Sequence, residues 1–455
     1  MMSHTSAGAP RIGVIFLGRK RTGFDPDWGQ QMNARVREGL AALGLSFFIP
    51  TVKICDDASL AAAVGACREE GAEVLLALQT TMSDARLART ITQLWPDPVV
   101  LWATPENPQG DMISSCSLVG IHNWATNLAH QDHPFLIAYG APENVDTHHQ
   151  LTNACRLAAT TRRLRSARVS IIGGQAPGFF HMAPDAAALQ RTFGSQLQQF
   201  SLVQFLDVLN ALDAEHVADD AAAVRKLGLP HRNSSDDDFP VASRLYLTMR
   251  HFFDNEQTDA LGLRCWPELP NATGQWPYLG MVRLADEQRP VAPEGDGDGA
   301  LLALIGQWLG FGASYLTDWL EHDEACITCW HAGNLPFSLS PPAGEPGGPV
   351  LAQHFNIDKP LVVESELPPD LPVTLARMWN RNGRYLLTAA EGTSVPSKRR
   401  LMGSQGLVKL RDRSPDQWFR NLCDAGMPHH ILLFRGHHQS VLREFTRLTA
   451  AEWID

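Results

Sequence analysis

A stretch of almost continuous apolar residues, 299–309, constrains the fold more than any other part of the chain. Its length fits a buried helix, and Gly310 follows at the position of a helix C-cap. Short runs at residues 288–292 and 313–317 lie on either side of it and predict strands. Because a strand–helix–strand unit normally joins parallel strands by a right-handed crossover, we expect these two strands to be parallel.

An acidic residue follows each of these predicted strands. Glu294 comes after the first strand, and Asp318 comes after the second. The carboxyl ends of parallel strands meet at one edge of an open α/β sheet, where ligands bind. Neighbouring strands lie about 4.8 Å apart, so two carboxylates there repel each other unless a proton or a cation lies between them. Hard oxygen ligands of this kind suit Mg²⁺ or Mn²⁺. The alternative is a pair of solvated loop acids.

Strands and helices alternate along the first part of the chain and again after residue 166. Apolar runs at residues 11–17, 74–78 and 99–102 predict buried strands, as in a parallel α/β sheet. The turn after the first strand lacks G-x-G-x-x-G, which disfavours the usual dinucleotide site. Short β-like runs follow a Pro- and Gly-rich hinge at residues 340–349. The predicted fold is α/β, with two consecutive Rossmann-like parallel α/β domains at residues 1–165 and 166–336 and a β-rich, barrel-like domain at residues 337–455.

The composition argues against two classes of partner. The net charge of −11 disfavours nucleic acid, because binding to phosphates requires a basic face. No run of roughly 18 apolar residues occurs, so we expect no membrane span. The N-terminal residues lack the pattern of a secretory signal, and we therefore expect a cytoplasmic protein.

The eight cysteines are scattered along the chain, which is typical of a reducing compartment. Cys326 and Cys329 form a C-x-x-C with His331 close by, but a zinc site would need a second ligand pair with suitable spacing. A redox motif would lie at the start of a helix, whereas this apolar segment predicts a strand. We therefore interpret both cysteines as structural.

Four stretches of the chain resemble the L-fucose isomerase family of metal-dependent aldose–ketose isomerases. They are LGRKRTGFDPDWGQQMN (17–33), LRCWPELPNATG (263–274), PEGDGDGALLALI with YLTD (293–318) and CDAGMPHHILLFRGHH (423–438). Their order along the chain, with the spacing from Glu294 to Asp318 intact, carries the resemblance. It implies two α/β domains, a barrel-like C-terminal domain and a homo-oligomer, either a trimer or a hexamer.

The resemblance also implies an active site. The family binds Mn²⁺ through a Glu, an Asp and a His, which correspond here to Glu294, Asp318 and His430, and the two carboxylates are the implied catalytic groups. Mg²⁺ or Co²⁺ is an alternative ion. His429 is an alternative to His430, and because adjacent strand residues point to opposite faces, we expect only one of them to bind the metal. The implied substrate-binding residues are Arg19, Trp266, Gln275, His331 and Asn334.

The expected function is the interconversion of an aldose and a ketose, a hexose or deoxyhexose, through an enediolate. Because the family includes members that act on sulfonated sugars, a sulfonated hexose such as sulfoquinovose is an alternative substrate. A second alternative is a non-catalytic sugar-binding sensor. If the protein is an isomerase of a sulfonated hexose, Arg19, Lys20, Arg21 and Arg264 are the candidate anion-binding residues, although they could equally be ordinary surface residues.

Overall fold

The computed structural model describes residues 8–18, 23–109 and 112–455, which form two compact units. The N-terminal unit spans Gly8–Leu164, and the second unit spans Arg165–Asp455. Within the described residues, no helix is both long and apolar enough to cross a membrane. The division of the chain into three domains stays a prediction.

The N-terminal unit is built around a parallel five-stranded sheet. Its strands are β1 (Arg11–Leu17), β2 (Ser46–Phe48), β3 (Val74–Gln79), β4 (Val99–Ala103) and β5 (Phe135–Tyr139). Its helices are α1 (Pro26–Ala42), α2 (Asp57–Glu69), α3 (Arg86–Leu94), α4 (Ser117–Ala129) and α5 (Val145–Leu164). The strand order is β2-β1-β3-β4-β5. Every residue of β3 and β4 is buried, as expected for central strands of a parallel sheet that is covered on both faces.

The second unit begins with a parallel four-stranded sheet. Its strands are β6 (Arg168–Ile172), β7 (Gln196–Phe200), β8 (Ala260–Leu263) and β9 (Val291–Pro293). The helices of this part are α6 (Ala186–Phe193), α7 (Leu202–Ala211), α8 (Ala214–Arg225), α9 (Phe239–Asn255), α10 (Glu268–Thr273), α11 (Tyr278–Asp286) and α12 (Gly297–Leu309). The strand order is β7-β6-β8-β9.

The remaining strands form one large sheet. They are β10 (Ser314–His322), β11 (Cys326–His331), β12 (Val350–Ala352), β13 (Val362–Glu366), β14 (Pro372–Arg381), β15 (Arg384–Val395), β16 (Ser404–Leu410), β17 (His430–Arg435) and β18 (Glu452–Trp453), with helices α13 (Pro415–Asp424) and α14 (Gln439–Leu448). Six of these strands close into an antiparallel ring in the order β16-β11-β10-β17-β14-β15, because β15 also pairs with β16. The expected α/β fold with a β-rich C-terminal part is confirmed.

The prediction that Glu294 and Asp318 follow two parallel strands of one sheet is wrong. Strand β9, which precedes Glu294, pairs with β8 in the four-stranded sheet. Strand β10 instead pairs antiparallel with β11 and β17 in the ring. Asp318 lies within β10, because the strand continues to His322 and turns into its hairpin partner β11. The two carboxylates therefore come from different sheets.

Helix α12 is buried on nearly every side because it packs between the two sheets of the second unit. It contacts β6 and β8 of the parallel sheet and also β14 and β17 of the ring. A helix that is apolar all round is stable only when it is covered in this way. Gly306 allows the close approach to the ring, since a Cβ at this position would lie 2.3 Å from Phe434 Cε1 on β17.

The two cysteines of the C-x-x-C lie on β11, where the sequence predicts a strand. Both are free thiols, and Cys329 is fully buried in the apolar core of the ring. This placement fits their interpretation as structural residues.

We expect Gly306→Ala to destabilise the Arg165–Asp455 unit, by about 1–3 kcal/mol, because the added methyl group overlaps the Phe434 ring. The measurement is the free energy of unfolding from urea titrations followed by circular dichroism. Gly65→Ala is the matched control: Gly65 lies within α2, nothing lies within 4 Å of its added Cβ, and it should gain up to about 1 kcal/mol from helix propensity. A Gly306→Ala protein as stable as the wild type would contradict this packing of α12.

Candidate functional site

Glu294 lies in a tight turn between β9 and α12. Its φ is +62° and that of Gly295 is +78°, a left-handed region that non-glycine residues rarely adopt. The Glu294 N–H donates to Cys265 Sγ at 3.4 Å, and its carbonyl accepts from the Ala176 N–H at 2.9 Å. The Gly295 N–H donates to the Leu263 carbonyl at 3.0 Å. Strained backbone of this kind persists where its surroundings impose it, and it is common at functional sites.

Asp318 and His430 lie opposite each other on the antiparallel strands β10 and β17. Residues paired in this way present their side chains on the same face of a sheet. Glu294 approaches the pair from the turn before α12. His430 Nε2 lies 3.3 Å from Glu294 Oε2 and 3.7 Å from Asp318 Oδ1. Three separate elements thus bring the three predicted metal ligands together.

The facing atoms of these three side chains have no hydrogen-bond partner among the described residues. Glu294 Oε2, Asp318 Oδ1 and His430 Nε2 are each buried, and none of them makes a hydrogen bond that meets the usual geometry. Buried polar atoms are nearly always paired, and an unpaired one calls for an explanation such as a bound ion. Two carboxylate oxygens and an imidazole nitrogen form a donor set that binds divalent ions of the first transition row. The residues therefore fit a metal centre, which we call the Glu294–Asp318–His430 cluster.

Two further histidines lie at this cluster. His429 Nε2 is 3.9 Å from Glu294 Oε2 and 3.8 Å from Asp318 Oδ1, and its side chain is 37% exposed. Ligand atoms of His331, Glu294 and His430 lie within 4.8 Å of one another, and His331 Nδ1 is another buried atom without a partner. Both adjacent histidines therefore reach the cluster, although strand alternation predicts that only one does. The geometry favours His430, which is fully buried and faces Asp318 directly.

The ionisation of the cluster follows from its close contacts. Burial would raise the pKa of Glu294, but the neighbouring His429 and His430 rings outweigh it and hold this pKa well below its usual range. Burial would lower the pKa of His430, but Asp296 and Glu294 outweigh it and raise this pKa to about 10. Burial lowers the pKa of His331. The metal-free cluster is thus an ion-paired group in which a bound cation would replace the proton on His430 Nε2.

A cavity of about 350 Å³ opens in front of the cluster. Its walls are mostly aromatic, and Glu294 and Asp318 are the two carboxylates of the lining. His354 lies in one wall, stacked on Trp276 with ring centroids 3.9 Å apart, and burial lowers its pKa to about 4. The lining residues are Phe179, Trp266, Trp276, Tyr278, Glu294, Asp318, Trp330, His331, Ala332, His354, Phe355, Asn356 and His429.

The segment before α6 covers one side of the cluster. The Phe179 ring lies 4.7 Å from the His429 ring, centroid to centroid. His181, in a short 3-10 helix (Phe180–Met182), places its Nε2 3.4 Å from His429 Nδ1. These contacts hold the more exposed of the two adjacent histidines against the cavity.

Of the predicted substrate-binding residues that the structure describes, two line the cavity and two do not. Trp266 and His331 line the cavity. Gln275 does not, since its Nε2 donates to the Asp238 carbonyl at 2.8 Å, and the next residue, Trp276, lines the cavity instead. Asn334 is also outside the lining, and its Nδ2 donates to the Leu316 carbonyl at 3.0 Å.

The candidate anion-binding residues are only partly described. Arg19, Lys20 and Arg21 lie outside the described residues. Arg264 forms an ion pair with Glu268, with 2.9 Å between Nε and Oε2, and its Nη1 also donates to the Gly173 carbonyl at 3.4 Å. Arg264 is thus already engaged within its own unit.

Comparison with known proteins relates the chain to a group of isomerases. It is 23% identical to a sulfoquinovose isomerase of Priestia aryabhattai over 385 residues, which cover 84% of this chain and 84% of the relative. It is 24% identical to a sulfoquinovose isomerase of Alkalicoccus urumqiensis, over 81% of this chain and 82% of the relative. A protein of the same name from Clostridium sp. strain MSTE9 is 26% identical over 74% of this chain and 76% of the relative. No model of a known protein family matches the chain.

Solved structures align only weakly. A solute-binding protein from Bacillus halodurans C-125 with bound myo-inositol aligns with a TM-score of 0.19 and 10% identity, over 68% of this chain and 91% of that chain. One from Actinobacillus succinogenes 130z with bound D-allose aligns with a TM-score of 0.18 and 8% identity, over 66% and 91%. Scores this low support no inference about fold or function.

The homologues define a class of enzyme. A sulfoquinovose isomerase is an aldose–ketose isomerase, which is an intramolecular oxidoreductase. The prediction that the chain is an enzyme of this class is confirmed. The L-fucose isomerase family is not named by the comparisons and stays a resemblance.

We expect Glu294→Gln and Asp318→Asn to weaken Mn²⁺ binding by more than about 100-fold, because even residues that only support metal ligands typically contribute 10–100-fold. The measurement is isothermal titration calorimetry on protein treated with EDTA and then freed of the chelator. Glu321→Gln is the matched control. Glu321 lies on β10, the strand that carries Asp318, but it is exposed and forms an ion pair with Arg399. A Glu294→Gln protein that binds Mn²⁺ as tightly as the wild type would exclude this metal centre.

Proposed function

We propose that the protein is a divalent-metal-dependent isomerase that interconverts the aldose and ketose forms of a sulfonated hexose such as sulfoquinovose. The observation that carries the chemistry is the convergence of three buried ligand atoms without hydrogen bonds, on Glu294, Asp318 and His430. The support for the sugar is the similarity of most of the chain to relatives named sulfoquinovose isomerase. Mn²⁺ is the proposed ion, with Mg²⁺ or Co²⁺ as alternatives.

The reaction moves a hydrogen between C1 and C2 of the open-chain sugar. The C–H bond next to a carbonyl is weakly acidic, so an enzyme must stabilise the enediolate that forms when the proton leaves. A divalent cation at the Glu294–Asp318–His430 cluster would polarise the carbonyl and offset this negative charge, an effect of several kcal/mol. The chain's own residues must then position the sugar and move the proton.

Glu294 and Asp318 are the proposed proton carriers. Both carboxylates line the cavity, one from the turn after β9 and the other from β10. In the direction from aldose to ketose, one carboxylate can take the proton from C2 and return it to C1, while the hydroxyl proton leaves O2 and O1 gains a proton, so that no proton is gained or lost overall. A positioned acid or base of this kind typically contributes roughly 10²–10⁴ in rate.

The cavity suits a single sugar unit. Its volume of about 350 Å³ lies at the small end of the range for ligand pockets. Aromatic faces such as Trp266, Trp276 and Trp330 can pack on the C–H surfaces of a sugar, while His331 and Asn356 can bond to hydroxyl groups. The part of the cavity next to Glu294 and Asp318 would receive C1 and C2.

The relatives favour the sulfonated sugar over the neutral hexose or deoxyhexose that the sequence resemblance puts first. The sensor alternative is disfavoured, since the homologues are enzymes. The cytoplasmic location and the trimeric or hexameric assembly stay predictions.

We expect kcat/KM for sulfoquinovose to exceed that for D-glucose or L-fucose by at least about 100-fold. A neutral sugar lacks the sulfonate group, so it leaves the polar groups that bind the sulfonate without a partner. Ketose formation can be followed by ¹H NMR with each sugar in turn. Glu294→Gln, assayed in parallel, controls for spontaneous isomerisation. Equal or faster turnover of the neutral sugars would reject the sulfonated hexose and return the neutral one as substrate.

We expect isomerisation in D₂O to introduce deuterium at the carbon next to the product carbonyl, because a proton held by Glu294 or Asp318 can exchange with solvent before it returns. Mass spectrometry and ²H NMR of substrate and product at partial conversion measure the incorporation. A metal-assisted hydride shift is the alternative, and product free of solvent deuterium at all stages of the reaction would favour it over the enediolate.

A further inference from the structure

Asp296 lies directly behind the Glu294–Asp318–His430 cluster, and all of its hydrogen-bond positions are occupied. Asp296 is the N-cap of α12 and is fully buried. Its Oδ1 accepts from the Gly299 N–H at 2.9 Å and from Arg377 Nη2 at 2.9 Å. Its Oδ2 accepts from Arg377 Nη1 at 2.6 Å and lies 2.9 Å from His430 Nδ1. Since a carboxylate offers about four lone-pair positions, Asp296 has none left for a metal ion.

Arg377 holds this carboxylate in one orientation. It lies on β14, next to β17 in the ring, and its side chain is fully buried. The planar guanidinium binds both oxygens of Asp296 in a two-pronged contact, a geometry that lysine cannot reproduce. The cap to Gly299 fixes the same carboxylate from the side of α12. Asp296 is thus clamped between the helix and the ring.

The contact to His430 determines which ring nitrogen carries a proton. Asp296 is paired with a permanently charged guanidinium and acts only as an acceptor, so His430 Nδ1 must be the donor. The other nitrogen, Nε2, is the atom that faces Glu294 and Asp318. Metal-binding histidines commonly use such a partner to set both tautomer and ring orientation.

We propose that Asp296, clamped by Arg377, is a positioning residue that keeps the proton of His430 on Nδ1 and directs the Nε2 lone pair at the metal ion. This inference rests on the metal dependence proposed above. Asp296 itself touches neither substrate nor metal, and it acts through His430.

The next acidic residue of the same turn provides a matched comparison. Asp298 is also buried, and it accepts hydrogen bonds from the Tyr385 hydroxyl at 2.9 Å and from Asn380 Nδ2 at 3.0 Å. Among the described residues, Asp298 forms no hydrogen bond or ion pair with Glu294, Asp318 or His430. A change at Asp298 therefore disturbs the start of α12 without altering the tautomer of His430.

The test compares Asp296→Asn with Asp298→Asn in EDTA-treated full-length protein. Mn²⁺ affinity is measured by calorimetry well below the melting temperature, and the melting temperature is measured separately. We expect Asp296→Asn to lower the affinity by about 10–100-fold, because an amide facing His430 Nδ1 favours the tautomer with the proton on Nε2. Asp298→Asn should lower the melting temperature without weakening Mn²⁺ binding. Arg377→Lys should give an intermediate loss of affinity.

A second measurement does not depend on whether these variants fold. In wild-type protein with ¹⁵N-labelled histidine, the His430 resonances, assigned by difference from His430→Gln, should show a protonated Nδ1 both without metal and with diamagnetic Mg²⁺. The Nε2 signal should shift when Mg²⁺ is added.

Three results would overturn the proposal. They are an unprotonated Nδ1 in the metal-loaded wild type, unchanged Mn²⁺ affinity in Asp296→Asn, and an equal loss of affinity in Asp298→Asn. Each of these can occur while the wild type binds Mn²⁺ and isomerises its sugar, so each rejects the positioning role alone. A wild type that binds neither Mn²⁺ nor Mg²⁺ would instead reject the metal centre of the proposed function and this inference with it.

Discussion

The packing of α12 between two sheets is the constraint on which the site depends. Leu301, Leu302, Leu304, Ile305 and Leu309 are each almost completely buried. At roughly 1.5–3 kcal/mol for each side chain, their burial contributes on the order of 10 kcal/mol, which is comparable to the net stability of a whole domain. The helix therefore cannot be exposed on any face, and here it is covered by both sheets, because the chain leaves the parallel sheet before α12 and enters the ring after it. That change of sheet brings Glu294, at one end of the unit, to Asp318 and His430.

The local structure and the three residues that meet in the candidate site could be predicted, whereas the arrangement of their strands in space could not. The apolar run and its C-cap glycine are local signals, and they correctly indicated a helix that ends before Gly310. A strand–helix–strand pattern, however, is the same whether the second strand returns to the first sheet or starts another. Here β17, more than a hundred residues further along the chain, provides the partner of β10, and no local pattern encodes that pairing. The family resemblance found His430 because it compares whole segments.

The aromatic residues that line the cavity could not be predicted from the sequence either. Trp276, Trp330, His354 and Phe355 come from segments with no common spacing, and only the fold assembles them. An apolar aromatic residue in a sequence usually belongs to a core, so composition gives no reason to single these out. The prediction of Gln275 as a substrate-binding residue missed by one position. The Gln275 amide donates to a backbone carbonyl, whereas the adjacent Trp276 forms part of the cavity wall.

Three acids at alternate positions, Glu294, Asp296 and Asp298, have three different environments because the turn changes direction at each of them. The left-handed backbone at Glu294 and Gly295 turns the Glu294 side chain toward the ring strands, whereas Asp296 and Asp298 begin a helix. Arg377 compensates the charge of Asp296, whereas burial raises the pKa of Asp298 to about 6 and this carboxylate accepts hydrogen bonds from Tyr385 and Asn380. Glu294 and Asp318 remain as two carboxylates beside the His430 imidazole. When this imidazole is neutral, it compensates neither of their negative charges. A single divalent cation would make this group electrically neutral in a largely buried setting, where an unbalanced charge is costly.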